Sequence, residues 1–282
     1  MNLASPRLND SSPSVTSACV SASSSDAPRR DLSELLRDVS LSPASAGEAY
    51  ECLSLVSARL RAAGDPSAAF TDVYAVITRR VRDAVNDPTA GLFEEPLFIS
   101  RLAGRFCSLY LAAIRRSLAG EPEPIAAWAV ADRKRGTRWT LPVQHALLGL
   151  NAHINYDLAL GLFANVSALG GERDPARMAR YRHDHDAVNR IFEAAIPEVL
   201  ELLSTRYGCP VSTLVLAARE GTRRAACRAT MRTLAVWRAR VWDDLVTMLA
   251  ARGTRGFARI EARMNLRAGV LARLLGVELP VL

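Results

Sequence analysis

From Asp31 onward the apolar residues recur at steps of three and four, the spacing that puts them on one face of an α-helix. Phe70, Val73, Ile77, Val81 and Val85 form one such set within "SAAFTDVYAVITRRVRDAVND". The preceding segment, "SAGEAYECLSLVSARLRAAG", opens on Ser45 with Glu48 three residues later and closes on Gly64. That is a capping box at one end and a glycine stop at the other. "EPLFISRLAGRFCSLYLAAIRRSLAG" carries Pro96 near its start and Gly120 just past its end, where each is tolerated best. A shorter helix, "EPIAAWAVADRKRG", closes at Gly136. A long helix is predicted from about Leu141 to Leu169. The next starts with Asp174 as cap and Pro175 in its first turn and heads for Tyr207, with Pro197 predicted to kink or break it. After "GCP" a further amphipathic helix is carried by "TRRAACRATMRTLAVWRARVWDDLVTMLAARG". No segment alternates as a strand would, and no repeat of solenoid period recurs. The predicted fold class is all-α: a single-domain multi-helix bundle over residues 31–282 with a buried polar His/Asp/Asn cluster.

Residues 1–30 are a different material. "SSPSVTSACVSASSSDAPRR" is rich in serine and short of large apolar groups, so it cannot offset the entropy of ordering. A disordered leader is expected there.

The Leu141–Leu169 helix carries the unusual chemistry. On a helical wheel Val143, Leu147, Leu150, Ile154 and Leu158 fall within about a quarter of the circumference and form a core stripe. His145, His153 and Asp157 share an arc of about 120° elsewhere on the helix, with Gly149, Ala146, Ala152 and Tyr156 on or beside it. Small residues next to histidines leave room for a close helix, a metal or a ligand. His153 and Asp157 are four apart and stack on the helix surface. Such a pair can share a metal ion, or form a couple in which the carboxylate fixes the imidazole tautomer. It can equally do no more than join helices. A second cluster, "RYRHDHDAVNRIF", holds His183, Asp184, His185, Asp186 and Asn189. All four histidines thus lie on two consecutive helical segments, which packing antiparallel could bring face to face. The plain alternative is a solvated charge run near a helix start.

Composition narrows the function classes. Of 282 residues 49% are hydrophobic but only 6% aromatic, so Ala, Leu and Val dominate, and Ala and Leu favour helix most strongly. The formal charge of +7 comes from arginine, Lys134 being the only lysine. Such an Arg- and Ala-rich, Lys-poor composition is the usual consequence of a GC-rich genome. The arginines alternate with acids, as in "RVWDD" and "RIEAR", rather than forming a basic stripe, so nucleic acid is not an expected partner. The arginine-rich helix around Trp237 and Trp242 could hold a partner or an anionic ligand through its guanidinium groups; packing with a wet edge explains it as well. The five cysteines are odd in number and lack C-x-x-C spacing, which indicates reduced, buried thiols and no disulfide framework. No signal peptide pattern and no apolar run of about 18 residues stands out, so the expected location is the cytoplasm, without a membrane span. The H-E-x-x-H, Walker and G-x-S-x-G motifs are absent.

The stretch "WTLPVQHALLGLNAHINYDL", Trp139 to Leu158, resembles the signature of the DUF5995 family, found largely in actinobacteria. "YAVITRRV", "RLAGRFCSLYLAAI", "IAAW", "DHDAVN" and "VWRARVWDDL" fit the same layout, so the resemblance spans roughly residues 45–265. N-A-H-I-N-x-D-L is its specific element. The resemblance implies that His145, Asn151, His153, Asn155 and Asp157 belong to the family motif; it implies no reaction.

Two functions follow. The first is a small-molecule enzyme with His145, His153, Asp157 and Asp184 as catalytic residues and Asn151, Asn155, Tyr156 and Asn189 as substrate contacts. Its chemistry would be metal-assisted hydrolysis, or acid–base lyase, cyclase or isomerase chemistry on an apolar intermediate of specialised metabolism. A divalent zinc, iron or manganese ion held by His145, His153, Asp157 and His183 would suit such a donor set. The alternative is a non-catalytic helical module that binds an apolar ligand or partner, its His/Asn/Asp set serving as a structural hydrogen-bond network.

Overall fold

The computed structural model describes residues 32–277 apart from 88, 90 and 138. The Ser-rich leader, residues 1–30, lies outside the described residues. After a single turn, α1 (Leu32–Leu35), come α2 (Ala46–Ala62), α3 (Ala68–Asn86), α4 (Pro96–Ala119) and α5 (Ala126–Arg135). They are followed by α6 (Pro142–Ala152), a π-helical turn (His153–Asp157) and α7 (Leu158–Leu169). The chain closes with α8 (Pro175–Tyr207), α9 (Pro210–Ala217), α10 (Glu220–Ala250) and α11 (Arg255–Leu275). Among the described residues there is no strand, so the all-α class holds, and they fall in one unit spanning residues 31–282.

The caps form where the residue types call for them. Ser45 Oγ accepts from the Glu48 amide at 3.2 Å, and the Glu48 carboxylate accepts from the Ala44 amide at 3.0 Å. Asp174 accepts from the Ala176 and Arg177 amides at the start of α8. Gly208 ends α8 in the left-handed region, at a φ of 58°. Of the kink or break expected at Pro197 the break does not occur: α8 runs unbroken through it. A proline removes one amide donor, and the helix survives because it is anchored on both sides of the lesion. Beyond Pro197, Glu198 is held by Arg79 and Arg80 of α3 at 2.6 and 2.9 Å. Before it, Ile191 and Ala195 are buried.

α6, the π turn and α7 form one continuous central rod. α6 packs on α3, α5 and α11; the π turn on α4, α10 and α11; and α7 on α4 and α10. Every residue from Asn151 to Ala159 is buried, so the middle of the rod is enclosed on all sides and not only along one stripe. The predicted division into a core face and a polar face therefore needs correction. Val143, Leu147 and Leu150, the upper part of the apolar stripe, are only half-buried; the polar residues below them are the more deeply enclosed.

α4 is the one described helix long and apolar enough to cross a membrane, with a mean hydropathy of 1.4 over an 18-residue window, half of which is buried in the fold. The expectation that no segment reaches that length is revised for α4. Its buried side includes Phe98, Leu102, Tyr110 and Leu111.

Candidate functional site

The π turn places the motif residues. The Leu158 amide reaches back five residues to the His153 carbonyl, instead of the four of an α-helix, so the rod gains a local bulge of the kind common at functional sites. His153 projects from it into a box of aromatic rings supplied by α3, α4 and α5. Its imidazole stacks on Phe106 with centroids 3.3 Å apart and planes 7° from parallel. Tyr74 meets its edge at 4.6 Å, and Phe70, Tyr110 and Trp128 complete the walls at 5.9 to 6.2 Å. Gly149 admits this arrangement: a Cβ there would overlap the Phe70 ring.

His153 Nδ1 lies 3.0 Å from Asp157 Oδ2, which also accepts from Trp128 Nε1 at 3.0 Å. Burial lowers the His153 pKa against the opposing pull of Asp157. The ring is therefore neutral, with its proton on Nδ1 donated to the carboxylate. That leaves Nε2 bare, buried and without a hydrogen-bond partner, a condition that costs about 1–3 kcal/mol. The Tyr74 hydroxyl, near Thr78, also lacks a hydrogen bond of ordinary geometry.

The other motif residues lie at separate places along the rod. Asn151 Nδ2 donates to the Ala268 carbonyl of α11 at 2.9 Å, and Asn155 Nδ2 donates to Asn151 Oδ1 at 3.0 Å. Together they bolt the rod to α11. Tyr156 is buried beside Glu261 and Asp157, its phenol pushed up to about 12 chiefly by burial. His145 lies apart from His153, in a cavity of about 50 Å³ that it lines with Ser117, Asp132 and Arg135. Burial lowers its pKa to about 4, with Asp65 opposing and Arg135 reinforcing the shift. Phe70, Tyr110 and Trp128 also line this cavity, and they stand between it and His153.

The second cluster does not join the first. Asp184 is fully buried, and its carboxylate accepts from the Glu94 and Glu95 amides at 2.8 and 2.7 Å. It satisfies the two amides of the segment leading into α4. His183 is half-exposed, 3.1 Å from Asp184 and 3.7 Å from Glu94. Asn189 is half-buried with Oδ1 unpartnered. Among the described residues no three His, Cys, Asp or Glu side chains converge as metal ligands. The set His145, His153, Asp157 and His183 is therefore corrected to a single pair, His153–Asp157. The cause is that α8 turns its histidines toward α4 and α10, while α3, α4 and α5 fill the space before His153 with rings.

Residues outside the predicted set prove more telling. A cavity of about 240 Å³ opens between α3, α6, α8, α9 and α10, lined by Val143, Leu147, Leu150, Val199, Leu203 and their neighbours. Ser212, Cys227 and Thr230 are its polar members. Ser212 is fully buried and its Oγ has no partner. In the sequence these positions are indistinguishable from ordinary core or surface residues, because the cavity is made by helices distant along the chain. Beside it, a smaller cavity of about 60 Å³ is lined by His185 and Arg238.

Fold and site together define an all-helical protein with a sealed His–Asp couple and a separate apolar cavity. The chain belongs to the family of unknown function DUF5995, whose model matches residues 47–277. No curated protein and no solved structure matches it.

Proposed function

We propose that the protein is a non-catalytic helical module that binds a small apolar molecule, with its His/Asn/Asp set acting as a structural network. The observation that carries this reading is the cavity of about 240 Å³. It exceeds the ~150 Å³ that accepts a benzene ring in an engineered core, and it combines apolar walls with a few polar groups, as ligand pockets do. The bonds of Asn151, Asn155 and Asp184 to backbone and side-chain partners support the structural role of the polar set.

The partners expected from composition fit this reading. Many arginines are engaged with acids, as in Arg223 and Arg224 with Glu220, or Arg263 and Arg267 with Asp244, which favours a small molecule over nucleic acid. Cys52, Cys107, Cys209 and Cys227 are free thiols, in keeping with a reducing compartment such as the cytoplasm.

The test is binding of a neutral apolar fluorophore, N-phenyl-1-naphthylamine, to the wild type and to Ala226→Phe, which fills the cavity from its half-exposed wall. Saturable binding that falls at least about tenfold in the variant, a loss of about 1.4 kcal/mol, is expected. No binding, or equal binding in both proteins, overturns the proposal.

A second reading keeps the enzyme. His153, oriented by Asp157 with Nε2 bare, has the tautomer of a general base. It would require the wall formed by Phe70, Tyr110 and Trp128 to open toward the His145 cavity.

A further inference from the structure

A buried guanidinium without an acid is rare, because a lone charge in the interior is strongly disfavoured. Arg238 of α10 is such a group, with only 5% of its surface exposed. Its hydrogen-bond partners belong to His185 of α8, and both are uncharged. Nη2 donates to the His185 carbonyl and, at 3.3 Å, to His185 Nδ1. His185 Nε2 donates in return to the Arg238 carbonyl at 3.1 Å. The histidine is kept neutral by burial and by the guanidinium beside it. The nearby acid, Asp186, is engaged by Arg182 at 2.8 Å. Burial accordingly lowers the Arg238 pKa to about 10, and Nε is left buried without a partner.

This cation faces an empty space. Arg238 and His185 line the cavity of about 60 Å³ together with Thr78, Phe106 and Phe192. Ile77 and Phe192 belong to this cavity and also to the apolar one of about 240 Å³, so two side chains form the common wall. The Arg238 guanidinium carbon sits 5.5 Å from the Phe192 ring centroid. The smaller cavity offers a cation with an unclaimed donor; the larger, across that wall, offers hydrocarbon. The larger part suits a chain of about eight to ten carbons, scaled from the cavity that holds benzene.

We propose that Arg238 receives the carboxylate of an amphiphilic acid whose hydrocarbon chain passes Ile77 and Phe192 into the apolar cavity. This rests on the apolar-ligand reading above and names its ligand class. A guanidinium matches a carboxylate in geometry as well as charge, and the bound acid would supply the missing counter-charge. No covalent step is involved.

The experiment is calorimetric titration of the full chain with decanoate and, separately, decanol, for the wild type and Arg238→Gln. Decanoate should bind the wild type at least about tenfold more tightly than decanol, as one charge-assisted pairing implies. In Arg238→Gln that preference should vanish while decanol binding is retained. If decanol binds and decanoate binds no better, or if the preference persists in a folded Arg238→Gln, the acid proposal falls and the apolar-ligand reading stands. If decanoate binds through Arg238 but decanol and the neutral fluorophore do not bind, the anion site stands and the apolar reading falls. If neither ligand binds, both are overturned. The wild-type comparison decides the matter even where Arg238→Gln fails to fold, which circular dichroism would show.

Discussion

Single residues here sit in surroundings that their chemistry alone does not suggest. His153 has the appearance of a catalytic base, yet its environment is five aromatic rings and a carboxylate that is also bonded to an indole. Gly149 makes that environment possible. Alanine in mid-helix is ordinarily better than glycine by about 1 kcal/mol, but a Cβ at 149 would overlap the Phe70 ring. Gly149→Ala is therefore expected to destabilise by about 1–3 kcal/mol, the range for overpacking a core, and the added mutation Phe70→Leu should recover part of the loss. Urea denaturation of the single and double variants checks this; a stabilised Gly149→Ala would refute the packing at that position. The His153–Asp157 spacing was legible in the sequence because partners four apart share a helix face. The rings around them were not, since Tyr74, Phe106 and Trp128 arrive from three other helices.

At the scale of elements, the helix boundaries follow local rules and the connections between helices do not. Ser45, Pro96, Asp174 and Gly208 mark their termini as their chemistry requires. α9 went unpredicted: eight residues after a proline are too short for a periodic signal, and Ser212 acquires meaning only from the cavity it faces. Asp184 is the clearest case of misleading local context. Set between two histidines, it resembles a site carboxylate, but its partners are amides about 90 residues away in sequence. Asp184→Ala should destabilise by about 2 kcal/mol, as loss of a buried charged acceptor does, and leave binding of the neutral fluorophore unchanged. A variant within about 0.5 kcal/mol of wild type would remove this contact from the account.

The whole molecule encloses three of its four histidines. His145 and His153 titrate low through burial, and His185 does so further with Arg238 beside it. In the unfolded chain each regains a pKa near 6.5. Between the folded and unfolded values the unfolded state binds more protons, so stability must decrease as pH falls. For His145 the loss begins near 6.5 and is complete below its folded value of about 4. The denaturation midpoint is expected to be level above about pH 7.5 and to drop between about pH 6.5 and 5, by up to ~1.4 kcal/mol per pH unit for each such histidine. His145→Gln should remove one proton's share of that slope, and a midpoint independent of pH over this range would contradict neutral burial. The sequence by itself determined the helical class, most helix ends and the polar stretch within the central rod, because periodicity, capping and spacing act over a few residues. Only the tertiary structure decided that the middle of the rod is enclosed on every side, that Asp184 holds the amides leading into α4, and that Arg238 is buried beside an apolar cavity. Burial and cavities are properties of helices meeting from remote parts of the chain, and local pattern does not encode which of them meet.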